Sequence, residues 1–533
     1  MTCMQWERLL SPIRLGQSRP VSQQGRTPFN TDHDRITFSS AFRRLQDKTQ
    51  VFPLAETDYV RTRLTHSLEA GNIGRTLGIR AGESLLAATP VDGVSRDDLG
   101  TVVATATLAH DMGNPPFGHS GEDAIREWFR SHPLGQEILG AISAEAARTD
   151  PCPSAAFPDA PGAPASAEAP QLGAMAEAPL EQLPAQVLDL LYFEGNAQGF
   201  RILNRLQFPD RPCGMRLTCA VLGAFAKYPC DAARMELPTD GGYKKFGLFT
   251  ADRSLFARAA EQLGLVPLER DGLQPLEITL KNGYSLDTLP DPKNATPQHP
   301  GIRAWARHPL AYLVEAADDI SYSVADIEDG FRRGRVTYDE VYDLLCPLVP
   351  PKCNSWWPDT VREIQDPTER VEFLRALAIG GVVDSAVECF VANEAGLLRG
   401  DYLPKGLTRH MSLAEPFATL GAVNMRKVYQ DPQVVEIEAA GYDVMDKLLT
   451  TFGGAVYRRY LAMASAGGDR HLTPVAQSAR DRTLLKLFPR IRHAAPDSLY
   501  EHMLEVTDFV SGMTDTSAVS LYKKLAGMTL VRG

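Results

Sequence analysis

His110 and Asp111 stand side by side at the end of an apolar stretch, LGTVVATATLA, and form the most informative candidate metal site in the sequence. Imidazole nitrogen and carboxylate oxygen together suit Mn²⁺ or a divalent transition ion, whereas Mg²⁺ prefers oxygen ligands and water. Adjacent helical side chains diverge by about 100°, so both reach one ion mainly where a helix ends. The following GNPP turn predicts that end. A polar pair that only bonds to its own backbone is the competing interpretation.

Two further candidate ligands lie far from this pair. His66 lies upstream in RTRLTHSLEAGNIG, and Asp318 lies downstream in EAADDISYSVADIEDG. The order H…HD…D is the signature of the HD superfamily. Such a set leaves coordination positions open for water and a phosphate oxygen, as a catalytic site requires. The expected metal ligands are His66, His110, Asp111 and Asp318.

The adjacent Asp319 is chemically equal to Asp318, and spacing alone leaves it open as a ligand. Asp318 is preferred because Tyr322 and Asp326 then follow at i+4 and i+8, on the same helical face. Asp319 is then expected to be a solvent-facing or supporting carboxylate.

A second histidine lies close to the HD pair. His119 is followed by Glu122 in FGHSGEDAIREWF, where Ser120 with Asp123 predicts a helix N-cap. The two side chains therefore flank the start of a helix. A loop histidine that merely caps this helix is the alternative.

Seven ordered strings resemble one branch of the HD superfamily, the deoxyguanosine triphosphate triphosphohydrolases, whose relatives include a vertebrate dNTP hydrolase with a SAM domain. The resemblance implies metal-dependent hydrolysis of dGTP, with other dNTPs as further candidates, at the α-phosphorus to deoxynucleoside and tripolyphosphate. The expected cofactor is Mg²⁺ or Mn²⁺, with other transition ions as alternatives. The strings are FRRLQDKTQVFP, RTRLTHSLE, LAHDMGNPPFGHSGE, FEGNAQGFRIL, KKFGLFT, EAADDISYSVADIEDG and SGMTD.

The same resemblance assigns roles near the scissile bond. His119 would take part in proton transfer during attack on the α-phosphorus, and Glu122 would set its tautomer or raise its basicity. Arg63, Lys227 in AKYP and Lys245 in KKFG would contact the phosphates, since the triphosphate carries several negative charges. The alternative is that Lys227 and Lys245 are exposed surface lysines.

Further substrate contacts follow from the resemblance. Asn196 in GNAQ would add an amide donor, unless it has only a structural turn role. Gln50, with Val51 beside it, and Asp326 would bind the 3′ hydroxyl, while Tyr322 would pack against C2′ and exclude a 2′ hydroxyl. The competing interpretations are that Tyr322 is a core aromatic residue and that Asp326 is an acid on the helix surface.

The elements that must position these residues are mainly helical, with minor short β elements. The apolar pattern predicts a helix over Leu99 to Ala109 and another from Leu310 to a C′ glycine at Gly330. Short strands are expected near 245–250 and 276–280. We expect an HD phosphohydrolase core over 1–330, with a flexible Ala/Pro-rich insertion at 149–184, and a helical region over 331–533 that completes the pocket and oligomer contacts.

Composition limits the other possibilities. The chain has 44% hydrophobic and 23% charged residues, as globular proteins do. No apolar run approaches the roughly 20 residues of a membrane span, and the opening segment lacks a signal-peptide core. Its eight cysteines form no CxxC pair, so reduced thiols and a cytoplasmic location with no membrane partner are expected.

The net charge of −11 argues against a general nucleic-acid backbone binder. The resemblance implies a homo-oligomer, a hexamer, with single-stranded DNA or a nucleotide as candidate effector. Two alternatives stay open: an HD phosphomonoesterase or phosphodiesterase acting on other nucleotides, and a regulatory HD protein that binds DNA or nucleotide without turnover. Inorganic phosphate as product favours the first, and salt-dependent DNA binding without dNTP loss favours the second.

Overall fold

The computed structural model describes residues 3–17, 25–50, 61–149, 183–234, 245–268, 304–401, 403–430, 432–466, 477–488 and 498–528. Over these ranges the chain is mainly α-helical, which confirms the expected fold class. β-structure in the described ranges consists of isolated bridges, such as the one between Thr49 and Thr62.

The described α-helices follow one another along the whole chain. They are α1 (Trp6–Leu9), α2 (Pro28–Thr37), α3 (Ser40–Arg43), α4 (Arg63–Ala88), α5 (Arg96–Ala109), α6 (His119–Ser131), α7 (Pro133–Thr149), α8 (Ala185–Leu191), α9 (Gly195–Arg201), α10 (Cys219–Phe225), α11 (Arg253–Leu263), α12 (Pro309–Arg332), α13 (Tyr338–Leu345), α14 (Trp357–Glu363), α15 (Pro367–Arg399), α16 (Ala414–Lys427), α17 (Pro432–Ala466), α18 (Ala479–Leu485), α19 (Leu499–Ser511) and α20 (Asp515–Leu525).

Helices α4, α5 and α12 pack against one another and form the centre of the fold. Glycines on α4 let the backbones approach: a Cβ at Gly78 would lie 2.7 Å from the Leu99 carbonyl oxygen and 2.8 Å from Gly100 Cα. One turn earlier, a Cβ at Gly74 would meet the Thr107 hydroxyl of α5 and the Ala317 side chain of α12. This close packing brings the C-terminal end of α5 next to α4 and α12.

Local signals explain where these helices begin. Thr62 and Ser95 each close a capping box at the N-termini of α4 and α5, and Pro309 opens α12 after the His308 cap. The predicted helix over Leu99 to Ala109 therefore starts one turn earlier, at Arg96.

The predicted helix end at Gly330 is wrong. Helix α12 continues to Arg332. The left-handed backbone conformation occurs at Gly334, with φ +68°. Gly330 is instead a packing position, since a Cβ there would lie 2.8 Å from the Val428 side chain.

The predicted N-cap at Ser120 is also wrong. Helix α6 begins at His119, and its N-cap is Gly118, at φ +61° and ψ −127° without a side-chain cap bond. Ser120 is a buried residue of the first turn.

No strand forms over Lys245 to Thr250 in the described chain, so that prediction is wrong. The alternating apolar residues are buried, yet the backbone bonds elsewhere: Gly247 N donates to the Cys230 carbonyl oxygen and Thr250 N to the Asp189 carboxylate. The second expected strand, at 276–280, lies outside the described residues, as does most of the insertion at 149–184.

The C-terminal half packs closely on the first half. Helix α15 lies against α4 and α12, α17 packs against α6, and α19 contacts α7. No described helix is both long enough and apolar enough to span a bilayer.

Candidate active site and metal centre

Three of the four expected ligands meet at one point. The Asp318 Oδ1 atom lies 3.1 Å from His66 Nε2 and 3.1 Å from His110 Nε2. Both histidines are buried, and one donor atom from each of the three side chains lies within 4.8 Å of the others. The C-terminal end of α5 and the bodies of α4 and α12 supply these ligands.

Hydrogen bonds orient the two imidazoles. His110 Nδ1 lies 2.6 Å from the Thr107 carbonyl oxygen, which can only accept, so Nδ1 carries a proton and donates it there, while Nε2 faces Asp318. His66 Nδ1 lies 3.5 Å from Ser321 Oγ, and its Nε2 also faces Asp318. Burial alone would lower the pKa of His110, but the Asp111 and Asp318 carboxylates together raise it.

Asp111 lies beside this group. Its Oδ1 atom is 3.4 Å from His110 Nε2 and accepts a 2.6 Å hydrogen bond from Asn114 Nδ2. Its Oδ2 atom accepts a 2.8 Å bond from Arg63 Nη1. Burial opposes ionisation, but the Arg63 guanidinium and the neighbouring histidines hold the pKa of Asp111 well below its usual range. The carboxylate therefore stays ionised next to the cluster.

Asp318 and Asp319 point to different places. Asp318 Oδ2 accepts a 2.8 Å bond from Lys227 Nζ, and despite burial His110 and Lys227 hold its pKa well below the usual range. Asp319 Oδ2 accepts a 2.7 Å bond from Thr408 Oγ1. The geometry thus brings Asp318 to the histidines, and Lys227 to the metal centre itself.

His119 lies at the first position of α6, one residue after a strained turn. Phe117 has φ +63° and Gly118 φ +61°, and a Cβ at Gly118 would lie 2.5 Å from Arg63 Nη2. Only glycine fits there. Partial desolvation, with the nearby Arg63 and Lys245 cations, lowers the pKa of His119 although its side chain reaches solvent.

Glu122 is buried and bonded away from His119. Its Oε1 atom accepts from Gly195 N at 2.9 Å, and its Oε2 atom from Arg126 Nη2 at 3.2 Å. The same Arg126 nitrogen lies 3.2 Å from Glu194 Oε2. Glu122 therefore fixes the start of α9 against α6, and the structure places no hydrogen bond between the described Glu122 and His119 side chains.

Asn196 and Lys245 converge on Glu194. Asn196 Nδ2 donates to Glu194 Oε1 at 2.9 Å, and Lys245 Nζ donates to the same oxygen at 3.2 Å. Burial and the neighbouring Glu122 carboxylate raise the pKa of Glu194. Asn196 and Lys245 thus share one anchoring carboxylate beside His119.

The expected sugar contacts lie on α12 and at the end of the described segment 25–50. Gln50 Oε1 is buried and has no hydrogen-bond partner among the described residues. Asp326 is buried, accepts a hydrogen bond from the Tyr429 hydroxyl, and has its pKa raised to about 7 by burial. Tyr322 is half-buried one helical turn from Asp318. Val51 lies outside the described residues.

Sequence comparison places the chain among known proteins. The HD domain model matches residues 63–147. A deoxyguanosinetriphosphate triphosphohydrolase-like protein of Synechocystis is 34% identical over 99% of this chain and 100% of the relative. One from Pseudomonas aeruginosa is 36% identical over 98% and 99%, respectively. The chain belongs to the deoxyguanosinetriphosphate triphosphohydrolase-like family. It is therefore an enzyme of the HD hydrolase class.

A family member named deoxyguanosinetriphosphate triphosphohydrolase, from Klebsiella pneumoniae, is 29% identical over 97% of this chain and 96% of its own length. Both the resemblance inferred from the sequence strings and the expectation of an enzyme are thus confirmed. The matches run nearly end to end, so the similarity covers both halves of the chain.

The donor set in this triphosphohydrolase-like chain fits a divalent cation. Neighbouring ligands on an octahedral ion lie about 3 Å apart when metal-ligand distances are about 2.1 Å, and Asp318 Oδ1 lies 3.1 Å from each Nε2 atom. The Nδ1 bond of His110 fixes the tautomer that a metal ligand needs. His66, His110 and Asp318 would hold the ion, with Asp111 as the adjacent fourth donor.

Several site residues of this family member were missed by sequence reasoning. Glu194 directly precedes the GNAQ string, so a buried acid there could have been suspected. Arg126 and Tyr429 carry no comparable local signal, because they bond to Glu194 and Asp326, which are distant from them in sequence.

Proposed function

We propose that this enzyme hydrolyses dGTP, with other dNTPs as further candidates, to the deoxynucleoside and tripolyphosphate in a metal-dependent reaction. The observation that carries the proposal is the convergence of His66, His110 and Asp318 on one point, with His119 reaching solvent nearby. A divalent ion such as Mg²⁺ or Mn²⁺ bound there would activate water and polarise a phosphoryl oxygen. The relatives named for this activity support the same choice.

The reaction requires that the bond between the α-phosphorus and the 5′ oxygen breaks while a bond to the water oxygen forms. A proton must reach the departing 5′ oxygen. Burial and the nearby Arg63 and Lys245 cations lower the pKa of His119, which favours the neutral imidazole. This form can take a proton from the attacking water and then, as the imidazolium, give it to the departing 5′ oxygen. We therefore assign proton transfer to His119.

Binding of the triphosphate depends on cations around this group. Arg63 and Lys227 are already engaged with Asp111 and Asp318, so they neutralise those carboxylates and present positive charge to the phosphates. Lys245, whose side chain is 37% exposed, is the cation best able to turn toward an incoming phosphate. Asn196 adds an amide group beside it.

Sugar selection is assigned to α12 and Gln50. The unpartnered Gln50 Oε1 and the Asp326 carboxylate can both accept a hydrogen bond from a 3′ hydroxyl. Tyr322 would pack against C2′ and leave a ribonucleotide hydroxyl without room or partner.

The decisive experiment incubates the full chain with each dNTP and rGTP plus Mg²⁺ or Mn²⁺ and resolves the products by ³¹P NMR. We expect tripolyphosphate and deoxyguanosine from dGTP, no turnover of rGTP, and no turnover in chelator. Inorganic phosphate as the first product would instead establish the phosphomonoesterase alternative. If none of the dNTPs is hydrolysed, the proposal is rejected.

Assembly and location are further parts of this proposal. A hexamer, with single-stranded DNA or a nucleotide as effector, is expected on the family resemblance, and light scattering of the purified chain tests it. The cysteine pattern supports action in the cytoplasm.

A further inference from the structure

The carboxylate of Asp515, in the SGMTD string near the end of the chain, bridges two segments of the active site. Its Oδ1 atom accepts a 3.0 Å hydrogen bond from Phe117 N. Its Oδ2 atom accepts from Thr49 N at 2.9 Å and from the Thr49 hydroxyl. Asp515 is only 2% exposed, so these bonds are shielded from water. Its hydrogen-bond partners among the described residues include no metal ligand and no assigned substrate-binding residue.

Both partners lie one or two positions before residues assigned to the reaction. Phe117 lies two positions before His119, and Thr49 directly precedes Gln50. Phe117 has φ +63°, a conformation that is unfavourable for a non-glycine residue and persists only where neighbours hold it. The bond from Phe117 N to Asp515 is such a restraint.

A second tie lies beside the first. Lys48 is buried, and its Nζ atom donates to the Asn114 carbonyl oxygen and, at 3.0 Å, to the Ser511 carbonyl oxygen. The SGMTD string therefore contacts the segment that leads to Gln50 at two adjacent residues, Lys48 and Thr49. Through Asp515 and Lys48 it is also linked to the loop between α5 and α6. We define Lys48, Thr49, Phe117 and Asp515 as the clasp.

We propose that Asp515 is a positioning residue, which places His119 and Gln50 relative to each other through the clasp. This inference rests on the proposed function for its effect on rate. A purely structural carboxylate would change stability alone, whereas a positioning carboxylate changes the rate of the chemical step with little change in substrate binding.

The test is Asp515→Asn, which keeps the shape but leaves one oxygen where there were two. The matched control is Asp481→Asn: Asp481 is also 2% exposed and accepts the Ser478 backbone N–H and the Arg458 guanidinium, in α18 and away from the site. We expect kcat of Asp515→Asn to fall on the order of 10- to 100-fold with KM changed less than about threefold. Asp481→Asn should keep both constants.

Two further measurements separate positioning from folding. Because the part of the Asp515 effect that acts through His119 is already lost in His119→Ala, adding Asp515→Asn to that variant should lower the remaining rate clearly less than it lowers the wild-type rate. Hydrogen exchange of the wild-type and variant chains should show faster exchange, by about tenfold or more, at peptides covering 45–50 and 111–119, with α18 unchanged.

Wild-type kcat in a folded Asp515→Asn, or a full additional loss of rate in the His119→Ala background, would overturn the positioning role. Unchanged exchange at both segments would do the same. If the wild-type chain hydrolyses no dNTP while Asp515→Asn still loosens both segments, the proposed function fails and the clasp stands.

Discussion

Three side chains at the metal centre, His110, Asp111 and Asp318, each have a fixed hydrogen-bond partner. The Thr107 carbonyl fixes the His110 tautomer, Lys227 pairs with Asp318, and Arg63 holds Asp111 ionised. His119 differs, since it reaches solvent and has a lowered pKa. The site therefore combines rigid ligands with one histidine that is free to exchange a proton.

Replacing His119 by alanine tests that division of roles. We expect His119→Ala to lose about 10²- to 10⁴-fold in kcat, the usual contribution of a general acid or base, while it retains bound metal. His410→Ala, at an exposed histidine that bonds to the Pro404 carbonyl oxygen, is the control. Steady-state kinetics and metal analysis on the same samples measure both effects. A His119→Ala enzyme with wild-type turnover would remove the histidine from the mechanism.

Local sequence identified many of these residues but not their partners. His66, His110 and Asp318 were predicted to converge, and they do so in the structure. The choice between Asp318 and Asp319 needed the helix orientation, because one residue along α12 turns the side chain from the histidines to Thr408.

At the scale of elements, helix contacts set the distance between the ligands. Helices α4 and α5 carry His66 and His110, and Gly78 lies where their backbones nearly touch. We expect Gly78→Ala to destabilise the protein by about 1–3 kcal/mol, since the new methyl group overlaps backbone that cannot move freely. Alanine has a higher helix propensity than glycine, and this gain of about 0.5–1 kcal/mol offsets only part of the loss.

Gly140→Ala is the matched control for that substitution. Gly140 lies within α7, and a Cβ there would meet nothing within 4 Å. The control should therefore raise stability slightly, by up to about 1 kcal/mol. Urea unfolding measures the free energy of unfolding of both variants. Equal stability of the two would contradict the close contact at Gly78.

A buried acid between elements predicts a pH effect on stability. Asp189 of α8 accepts bonds from Thr250 N, at 2.6 Å, and from the Tyr500 hydroxyl of α19, and burial raises its pKa to about 7. The folded chain thus keeps a proton that the unfolded chain releases above its ordinary pKa of 3.8. The contribution of Asp189 to the free energy of unfolding therefore falls as pH rises from about 4 to 7.

Asp189→Asn removes this titration. Relative to wild type, the variant should gain stability between pH 5 and pH 7, by at most about 1.4 kcal/mol per pH unit. Asp481→Asn should show a constant difference over that range, because the Arg458 bond and Ser478 lower the pKa of Asp481 to about 2. Urea unfolding at both pH values measures the change, and a parallel response of the two variants would refute the assignment.

Helix cores were predictable from apolar periodicity, whereas helix ends and the irregular backbone near Lys245 were not. The backbone of that segment bonds to Asp189 and Cys230, partners that local pattern does not reveal. Gly330 similarly serves close packing against Val428 rather than helix termination.

For the whole molecule, residues far apart in sequence complete the site. Thr49 and Asp515 are separated by 466 positions, and Tyr429 reaches Asp326 across 103. Such contacts leave no periodic or spacing signal, so the SGMTD string could be matched but its role could not be derived. Residues of the C-terminal region thus contact Thr49, Phe117 and Asp326, in or beside the candidate site.

The Ala/Pro-rich insertion predicts tolerance to deletion. Helix α7 ends at Thr149 and α8 begins at Ala185, and the two helices pack against each other. A short Gly/Ser linker in place of 151–181 should therefore keep the fold and metal binding, because loop closure costs change slowly with length. Metal analysis and circular dichroism test this, and a folded deletion variant that lost its metal would contradict it.

The metal content of the purified protein tests the proposed metal centre most directly. Purified wild-type chain loaded with Mn²⁺ and freed of excess should retain about one ion per chain at the site, and His66→Ala, His110→Ala and Asp318→Ala should each lose it. His410→Ala should behave as wild type. Wild-type protein that hydrolyses dGTP without retained or required metal, or an Asp318→Ala variant with full metal occupancy, would contradict a catalytic metal held by His66, His110 and Asp318.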